Sequence, residues 1–393
     1  MCMLSVCIWH VRVSASSITQ PTTQTSESIT PPANQYQEQT HQTPQITPTQ
    51  ETLEGRITKI LSQDVSDTST GKVYYQTLQV YITSGSLKGQ TISAQGAQGN
   101  NTNGIVYKVD DSIVLLRSDD GQGNVLYYAT DYLRRSALYF ALLFFFVLTV
   151  LVSGKRGISS VLGLVLSFFI IFTFVLPTIS NGANPVLIAI AASLIIVPTS
   201  FYLSHGFNKK TTSAIIGSLA ALVLIGVFAV VFVASAKLTG YGADETMFLS
   251  IAKQGTINIK NLMLAGIIIG ALGILNDITI SQASVVFQLH AASKGELGVV
   301  ELYKSAMKVG QDHIASMVNT LVLVYTGASL PLLLLFINSP QPFSQVINIE
   351  LIASEIIKTV VGSVGLILAV PITTIIACMV VDLSGVDTIK RPI

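Results

Sequence analysis

One hydrophobic stretch of the chain carries an unusual number of polar side chains. It runs from Gly270 to Ser284, reads GALGILNDITISQAS, and lies between AGIII and VVF. Asp277 lies near its centre, in a segment otherwise apolar enough to cross a membrane. A carboxylate in the middle of a bilayer costs roughly 3 kcal/mol, so this side chain has to face protein or water.

Three interpretations of Asp277 are open. It can coordinate a small cation or relay a proton in a permeation path. It can be a neutral acid buried with Asn276 and Ser281, holding helices together by hydrogen bonds. It can be a catalytic carboxylate, but an intramembrane aspartyl protease needs two acids at one site, and Glu355 and Asp382 lie at opposite ends of their own span.

Helical spacing supplies possible partners for Asp277. Asn276 and Ser281 are on the same helix, and the next span offers Asn319. Their oxygens suit a small cation or a hydrogen-bond chain for a proton, although Asn319 can equally make a structural interhelical bond worth about 0.6 kcal/mol. We therefore name Asp277, Asn276, Ser281 and Asn319 as candidates for ion or proton binding.

A stripe of small and polar residues follows the same helix at spacings of three and four. Its members are Gly266, Gly270, Gly273, Asp277, Ser281, Ser284 and Gln288. Small residues at this spacing let another helix approach closely, so the stripe is predicted to pack against a helix or to line a path. Because this span exceeds what a bilayer requires, it is expected to tilt or to break between Gly273 and Asp277.

Other chemistry is not encoded in recognisable motifs. The sequence has no HExxH, no Walker or Rossmann glycine pattern and no Gly-x-Ser-x-Gly. Its three cysteines are too scattered for a disulfide framework or a metal cluster. We therefore expect a protein that is not an enzyme and uses no cofactor, and the sequence leaves any metal unknown.

The composition is that of a multi-pass membrane protein. Half of the residues are hydrophobic, 11% are charged, and several long stretches lack formal charge. Each of these stretches is long enough to cross a bilayer, which takes roughly 20 helical residues. Seven spans are predicted, at about 136–154, 158–178, 185–204, 212–236, 262–289, 314–337 and 356–381.

The part before the spans divides into three segments. Residues 1–13 look like a truncated signal or anchor, or a disordered terminus. Residues 14–52 are rich in Thr, Gln and Pro and are expected to be a disordered stalk. Residues 53–133 alternate short apolar runs with turn formers, which predicts an all-β, barrel-like domain. The transmembrane domain then occupies residues 134–393.

Basic residues indicate the orientation of the spans. If the β domain is outside, nine basic residues fall in inner segments: Lys155, Arg156, Lys209, Lys210, Lys294, Lys304, Lys308, Lys390 and Arg391. Three fall in outer connections, Lys237, Lys253 and Lys260, and Arg134 and Arg135 at the outer start of the first span oppose this orientation. The positive-inside rule therefore places the C-terminus in the cytoplasm. The inner segment 291–312 is expected to form an amphipathic helix along the membrane surface.

Three stretches resemble the YibE/F-like multi-pass membrane proteins of bacteria. They are GIVYKVDDSIVLL with YYATDYLRR, then SGKRGISSVLGL, and GALGILNDITISQAS followed by QLHAASK. The family version of the third reads more like GALGAVMDVAISIAS, so Gly270, Gly273, Asp277, Ser281 and Ser284 match, and Asn276 replaces a Met-like residue. The resemblance covers roughly residues 53–381. It implies the architecture and a bacterial plasma-membrane location, and it names no substrate.

Two functions are compatible with these features. The first is a transporter or permease with an ion- or proton-responsive carboxylate in the fifth span. The alternative is a non-transporting scaffold or sensor whose β domain binds a surface partner. Expected partners are the lipid bilayer, a small cation or proton and a second copy of the chain. The nearly balanced charge of the β domain argues against nucleic acid.

Overall fold

The computed structural model describes residues 51–68, 71–96, 106–119, 125–338 and 340–389. The chain divides into two units, residues 1–133 and residues 134–393. The expected signal or anchor and nearly all of the expected stalk lie outside the described residues. The last two stalk positions, Glu51 and Thr52, belong to the first strand.

The first unit is a closed five-stranded barrel. Its strands are β1 (Glu51–Thr68), β2 (Gly71–Ser84), β3 (Thr91–Gln95), β4 (Ser112–Asp119) and β5 (Val125–Tyr132). They follow one another around the barrel in the order β1, β2, β3, β5, β4, and only the β3–β5 pair among these is parallel. This is the arrangement of small Greek-key barrels of the OB type, which host many functions.

Alternating side chains fill the barrel, because successive residues of a strand point to opposite faces. The fully buried members include Leu53, Ile57, Leu78, Val80, Ile82, Ile113 and Leu115. Gln76 is also buried, and its amide accepts a hydrogen bond from the Tyr107 N–H (2.8 Å) and donates one to the Tyr107 carbonyl (3.0 Å). This pair of bonds ties the segment before β4 to β2.

The hairpin of β1 and β2 extends past the other strands. β3 pairs only with residues 77–81 of β2, and β4 pairs only with residues 51–56 of β1. Beyond this region, Leu61 (49%), Val65 (51%) and Tyr75 (41%) are exposed apolar side chains. The hairpin therefore presents apolar surface that the barrel core does not use.

The second unit is entirely helical over its described residues. The helices are α1 (Arg135–Ser153), α2 (Lys155–Ile170), α3 (Leu176–Ser180), α4 (Pro185–His205), α5 (Lys209–Ser235), α6 (Asp244–Ala252), α7 (Ile259–Ala292), α8 (Val299–Ala328), α9 (Leu330–Ile337), α10 (Phe343–Val346) and α11 (Glu350–Ile389). A π-helical turn, Ile171–Val175, joins α2 to α3. The helical stretch then ends in a turn at residues 181–184, where the SNGANP sequence predicts the boundary between two spans.

Within the described residues, six helical segments are long and apolar enough to cross a membrane: Arg135–Ser153, Lys155–Ser180, Pro185–His205, Lys209–Ser235, Ile259–Ala292 and Glu350–Asp382. A seventh is formed if α8 and α9 together make one span, which is bent by 67°. The bend lies just before Pro331, whose missing N–H and ring disfavour a continuous helix. These lengths and compositions are those of an α-helical membrane protein.

Two expectations about individual helices are wrong. α7 is one unbroken helix of 34 residues, so the break considered between Gly273 and Asp277 does not occur. The separate surface helix at 291–312 does not form either. From Val299 onward the chain is one helix of 30 residues, because Leu302, Ala306 and Gly310 are buried against the bundle.

The centre of the helical unit lies where α5, α7 and α11 meet. Its buried residues include Ala221, Ile225, Leu275, Ile278, Val361 and Ala369. Glycines bring these helices together: a Cβ on Gly217 of α5 would stand 3.1 Å from the Thr373 Cα of α11. A Cβ on Gly310 of α8 would stand 2.6 Å from Val370 and 3.0 Å from the Gln282 amide nitrogen.

Candidate functional site

α7 has a buried face and an exposed face, and both carry polar residues. The buried face carries Thr279 and Gln282, both fully inaccessible. The Thr279 and Ser218 hydroxyls are 2.7 Å apart, and the Gln282 amide nitrogen donates to the Thr374 hydroxyl (2.8 Å) and the Ala306 carbonyl (3.1 Å). This network joins α5, α7, α8 and α11.

The residues of the predicted stripe lie on the opposite, exposed face. Gly266, Gly270, Gly273, Asp277 and Gln288 are exposed, and Ser281 and Ser284 are half-buried. Among the described residues, no atom beyond the helix's own backbone and the chain neighbours lies within 4 Å of a Cβ built on any of these three glycines. Over the described residues, therefore, no helix packs closely on the three glycines of the stripe.

The four candidate ion-binding residues do not form a cluster bonded to one another. Asp277, Asn276 and Asn319 are exposed, and Ser281 is half-buried. In the part of the chain that the structure describes, none of the four side chains makes a hydrogen bond or an ion pair. The same residues contain no group of three His, Cys, Asp or Glu side chains able to hold a metal ion.

A cavity of about 510 Å³ lies beside Asn276, and we call it the Arg156 cavity. Its walls come from the end of α1, from α2, from the end of α4 and from the middle of α7. Its mouth, at one end of the helix bundle, is lined by Ser153, Arg156 and His205. Its deepest part is lined by Gly273 and Asn276. Ser160, Ser200 and Ser204 line it between the mouth and this deepest part.

Close packing of α2 on α4 places two of these hydroxyls at one seam. A Cβ on Gly163 of α2 would stand 3.2 Å from the Ser204 hydroxyl and 3.4 Å from the Ser200 hydroxyl. Within the described residues, the side chains of Ser160, Ser200, Ser204 and Asn276 make no hydrogen bonds. The cavity therefore offers unused donors and acceptors to water or to a ligand.

A second cavity, of about 410 Å³, lies on the other flank of α7, and we call it the Glu350 cavity. It is lined by the first half of α7, from Leu262 to Ile274, by the first half of α11 and by Tyr325 of α8. At its mouth, the Glu350 carboxylate accepts hydrogen bonds from the N–H groups of Thr239 (2.7 Å) and Gly240 (2.6 Å). Deeper in, Lys358 and Glu355 form an ion pair at 2.7 Å.

The two cavities belong to opposite ends of the helix bundle. Arg156 and His205 lie where α2 begins and α4 ends, next to the α1–α2 and α4–α5 turns. Glu350 lies where α11 begins, next to the connection between α5 and α7. If each span crosses once, these are opposite membrane boundaries. The cavities reach the middle of α7 from opposite sides, one at Gly273 and the other at Ile274.

The sequence pointed to only part of this site. Gly273 and Asn276 are among the candidates that the sequence indicates. The serines of the Arg156 cavity and Ser218 were missed. The available signal is hydroxyl residues at helical spacing in uncharged spans, such as Ser160 and Ser167 seven apart, and Ser200 and Ser204 four apart.

Comparison with known proteins identifies the helical unit. No curated protein and no solved structure matches the chain. The model of the family described as YibE/F-like protein matches residues 141–383, which is more than half of the chain and covers all seven candidate spans except the start of the first. The chain is a member of the YibE/F-like family.

Proposed function

We propose that this protein is a permease whose path runs through the two cavities and crosses at the middle of α7. The observation that carries the proposal is that cavities from opposite ends of the bundle reach adjacent residues, Gly273 and Ile274. Two half-paths separated by one helix are what alternating access of a site near the bilayer midplane requires. The proposal includes no enzymatic step.

Asp277 is proposed as the ion- or proton-responsive group of this path. It follows Asn276, which lines the Arg156 cavity, and lies near the middle of α7. It is exposed and makes no hydrogen bond or ion pair within the described residues. Since an uncovered carboxylate at this depth costs roughly 3 kcal/mol, it needs water, a proton, a cation or another protein surface.

The proposal also covers location and assembly. We place the protein in the bacterial plasma membrane, with the β domain outside and the C-terminus in the cytoplasm. The nine basic residues of the inner segments against three in the outer connections support this orientation. The uncovered stripe on α7 supports contact with a second copy, because small residues at this spacing favour helix association.

A second candidate function has its own support. The extended β1–β2 hairpin exposes Leu61, Val65 and Tyr75, and apolar side chains on a projecting hairpin are suited to binding a partner. A scaffold or sensor that uses this hairpin would not need water in either cavity. Water access therefore separates the two functions.

Sided labelling of introduced cysteines tests the permease proposal. Ser200→Cys lies in the Arg156 cavity, Ser354→Cys lines the Glu350 cavity, and Ser193→Cys on α4 is the buried control. In intact cells and inverted vesicles, Ser200→Cys should react with an impermeant maleimide from the cytoplasmic side and Ser354→Cys from the outside. Ser193→Cys should react no more than the parent chain, whose native Cys2, Cys7 and Cys378 set the background. Inertness of all three from both sides would favour the scaffold function.

A further inference from the structure

The charge of the Arg156 cavity differs from that of the Glu350 cavity. Among the described residues that line the first, Arg156 is the one permanently charged side chain, and none is a carboxylate. The Glu350 cavity is lined by two carboxylates, Glu350 and Glu355, and one cation, Lys358. The first cavity therefore favours negative charge and the second does not.

The polar groups below Arg156 are suited to the same kind of ligand. The Ser160, Ser200 and Ser204 hydroxyls and the Asn276 amide can all donate hydrogen bonds, and none is used within the described residues. The Arg156 guanidinium makes no ion pair among those residues, and guanidinium groups bind carboxylate and phosphate oxygens in pairs. Hydroxyls alone could also bind a cation, but the arginine at the mouth repels one.

We propose that the Arg156 cavity binds a small oxyanion, such as a phosphate or a small carboxylate, with Arg156 at the entrance and the serine hydroxyls as donors. The proposal rests on the permease function and names its substrate class. A volume of about 510 Å³ accommodates a small organic acid. The phosphate of an anionic lipid headgroup has the same chemistry as free phosphate and is the other possible source.

Charged thiol reagents test this inference on the full-length protein in neutral detergent. Ser200→Cys is treated with methanethiosulfonates carrying either a sulfonate or a trimethylammonium group, and the parent chain gives the background from native cysteines. After each rate is divided by the rate of the same reagent with a free thiol such as 2-mercaptoethanol, the anionic reagent should react about tenfold faster than the cationic one, because a charged cleft concentrates ions of opposite sign. Arg156→Gln should bring the ratio close to one, whereas Arg156→Lys should largely retain it.

Lys304→Gln is the matched control, because it removes a cation of α8 that lies outside the cavity lining and should leave the ratio unchanged. Inorganic phosphate should slow labelling of Ser200→Cys in detergent. If slowing occurs only in nanodiscs with phosphatidylglycerol and not with phosphatidylcholine, the oxyanion is a lipid headgroup.

Two results would overturn the inference in distinguishable ways. Equal rates for the two reagents, or a ratio that Arg156→Gln does not change, would show that the cavity does not select anions while its water access stands. No reaction with either reagent would show that the cavity is closed to water, and the permease proposal would then fail with it.

Discussion

Gln282 and Thr374 are joined by a hydrogen bond of 2.8 Å, although both side chains are fully buried between membrane-spanning helices. The same amide nitrogen donates to the Ala306 carbonyl of α8. One side chain therefore links α7 to α8 and α11. The Gln282 carbonyl oxygen has no partner in the described part of the chain, so its desolvation offsets part of the stability that the two hydrogen bonds supply.

The size of the Gln282 side chain should matter more than its amide. Gln282→Ala removes the hydrogen bonds and leaves a cavity, so it should destabilise the protein by about 2 kcal/mol. Gln282→Met keeps the volume, and the Thr374 hydroxyl still donates to the Val370 carbonyl, so the loss should stay within about 1 kcal/mol. Thermal unfolding in detergent measures both. Equal losses would mean that the hydrogen bonds dominate.

Glycines on the two faces of the bundle should respond differently to alanine. Gly217→Ala would place a methyl group against Thr373, so we expect destabilisation of about 1–3 kcal/mol. Gly270→Ala has open space around it and improves helix propensity, so the monomer should gain up to about 1 kcal/mol. Measuring both the melting temperature and the association state of each variant tests these expectations. A stability loss in Gly270→Ala that accompanies dissociation would show that a second copy covers the stripe.

The barrel should lose stability below the ordinary pKa of a glutamate. Hydrogen bonds from the Ser86 hydroxyl and N–H to Glu51, assisted by Arg117, hold the pKa of Glu51 below its usual 4.5. A lowered folded-state pKa stabilises the fold above pH 4.5, and this contribution disappears as the pH falls through the folded value. Amide exchange of β1 between about pH 5 and 3 should follow this loss. Glu51→Gln should flatten the dependence, and an unchanged profile in that variant would contradict the assignment.

Asp277 should determine how the protein responds to ions or protons. A ligand that binds only the folded state adds about 2.7 kcal/mol at 100 times its dissociation constant. One cation or a pH step should therefore raise the melting temperature of the wild type, and Asp277→Asn should abolish that response. Asp312→Asn, an exposed acid in the first half of α8, is the control. If wild type and Asp277→Asn ignore every ion and pH, Asp277 has a structural role only.

The broad architecture can be predicted from the sequence, because hydropathy and the alternation of apolar with polar residues are patterns among neighbouring residues. Uncharged runs predicted the spans, and alternating apolar residues such as Leu78, Val80 and Ile82 predicted strands whose inward side chains form the barrel core. The start of α8 differs from the prediction because Val300, Tyr303 and Met307 between charged residues are typical of a surface helix. The burial of Leu302 and Ala306 and the close fit of Gly310 against Gln282 show that this segment packs into the bundle.

The orientation of α7 could not be predicted in the same way. Thr279 and Gln282 form one polar pair at helical spacing, and Asp277 and Ser281 form another. Apolar residues surround both, so the pattern does not say which pair is buried. Which pair is buried depends on Ser218, Thr374 and Ala306, the hydrogen-bond partners on other helices. The sequence around α7 contains no pattern that identifies these partners.

The central claim is that water reaches the middle of α7 from opposite sides of the membrane. Asn276 lines the Arg156 cavity and Ile274 lines the Glu350 cavity, two residues away on the same helix. Sided labelling of Asn276→Cys and Ile274→Cys with an impermeant maleimide tests the claim most directly. The account predicts that Asn276→Cys reacts from the cytoplasmic side and Ile274→Cys from the outside. Reaction of both from one side, or of neither, would contradict it.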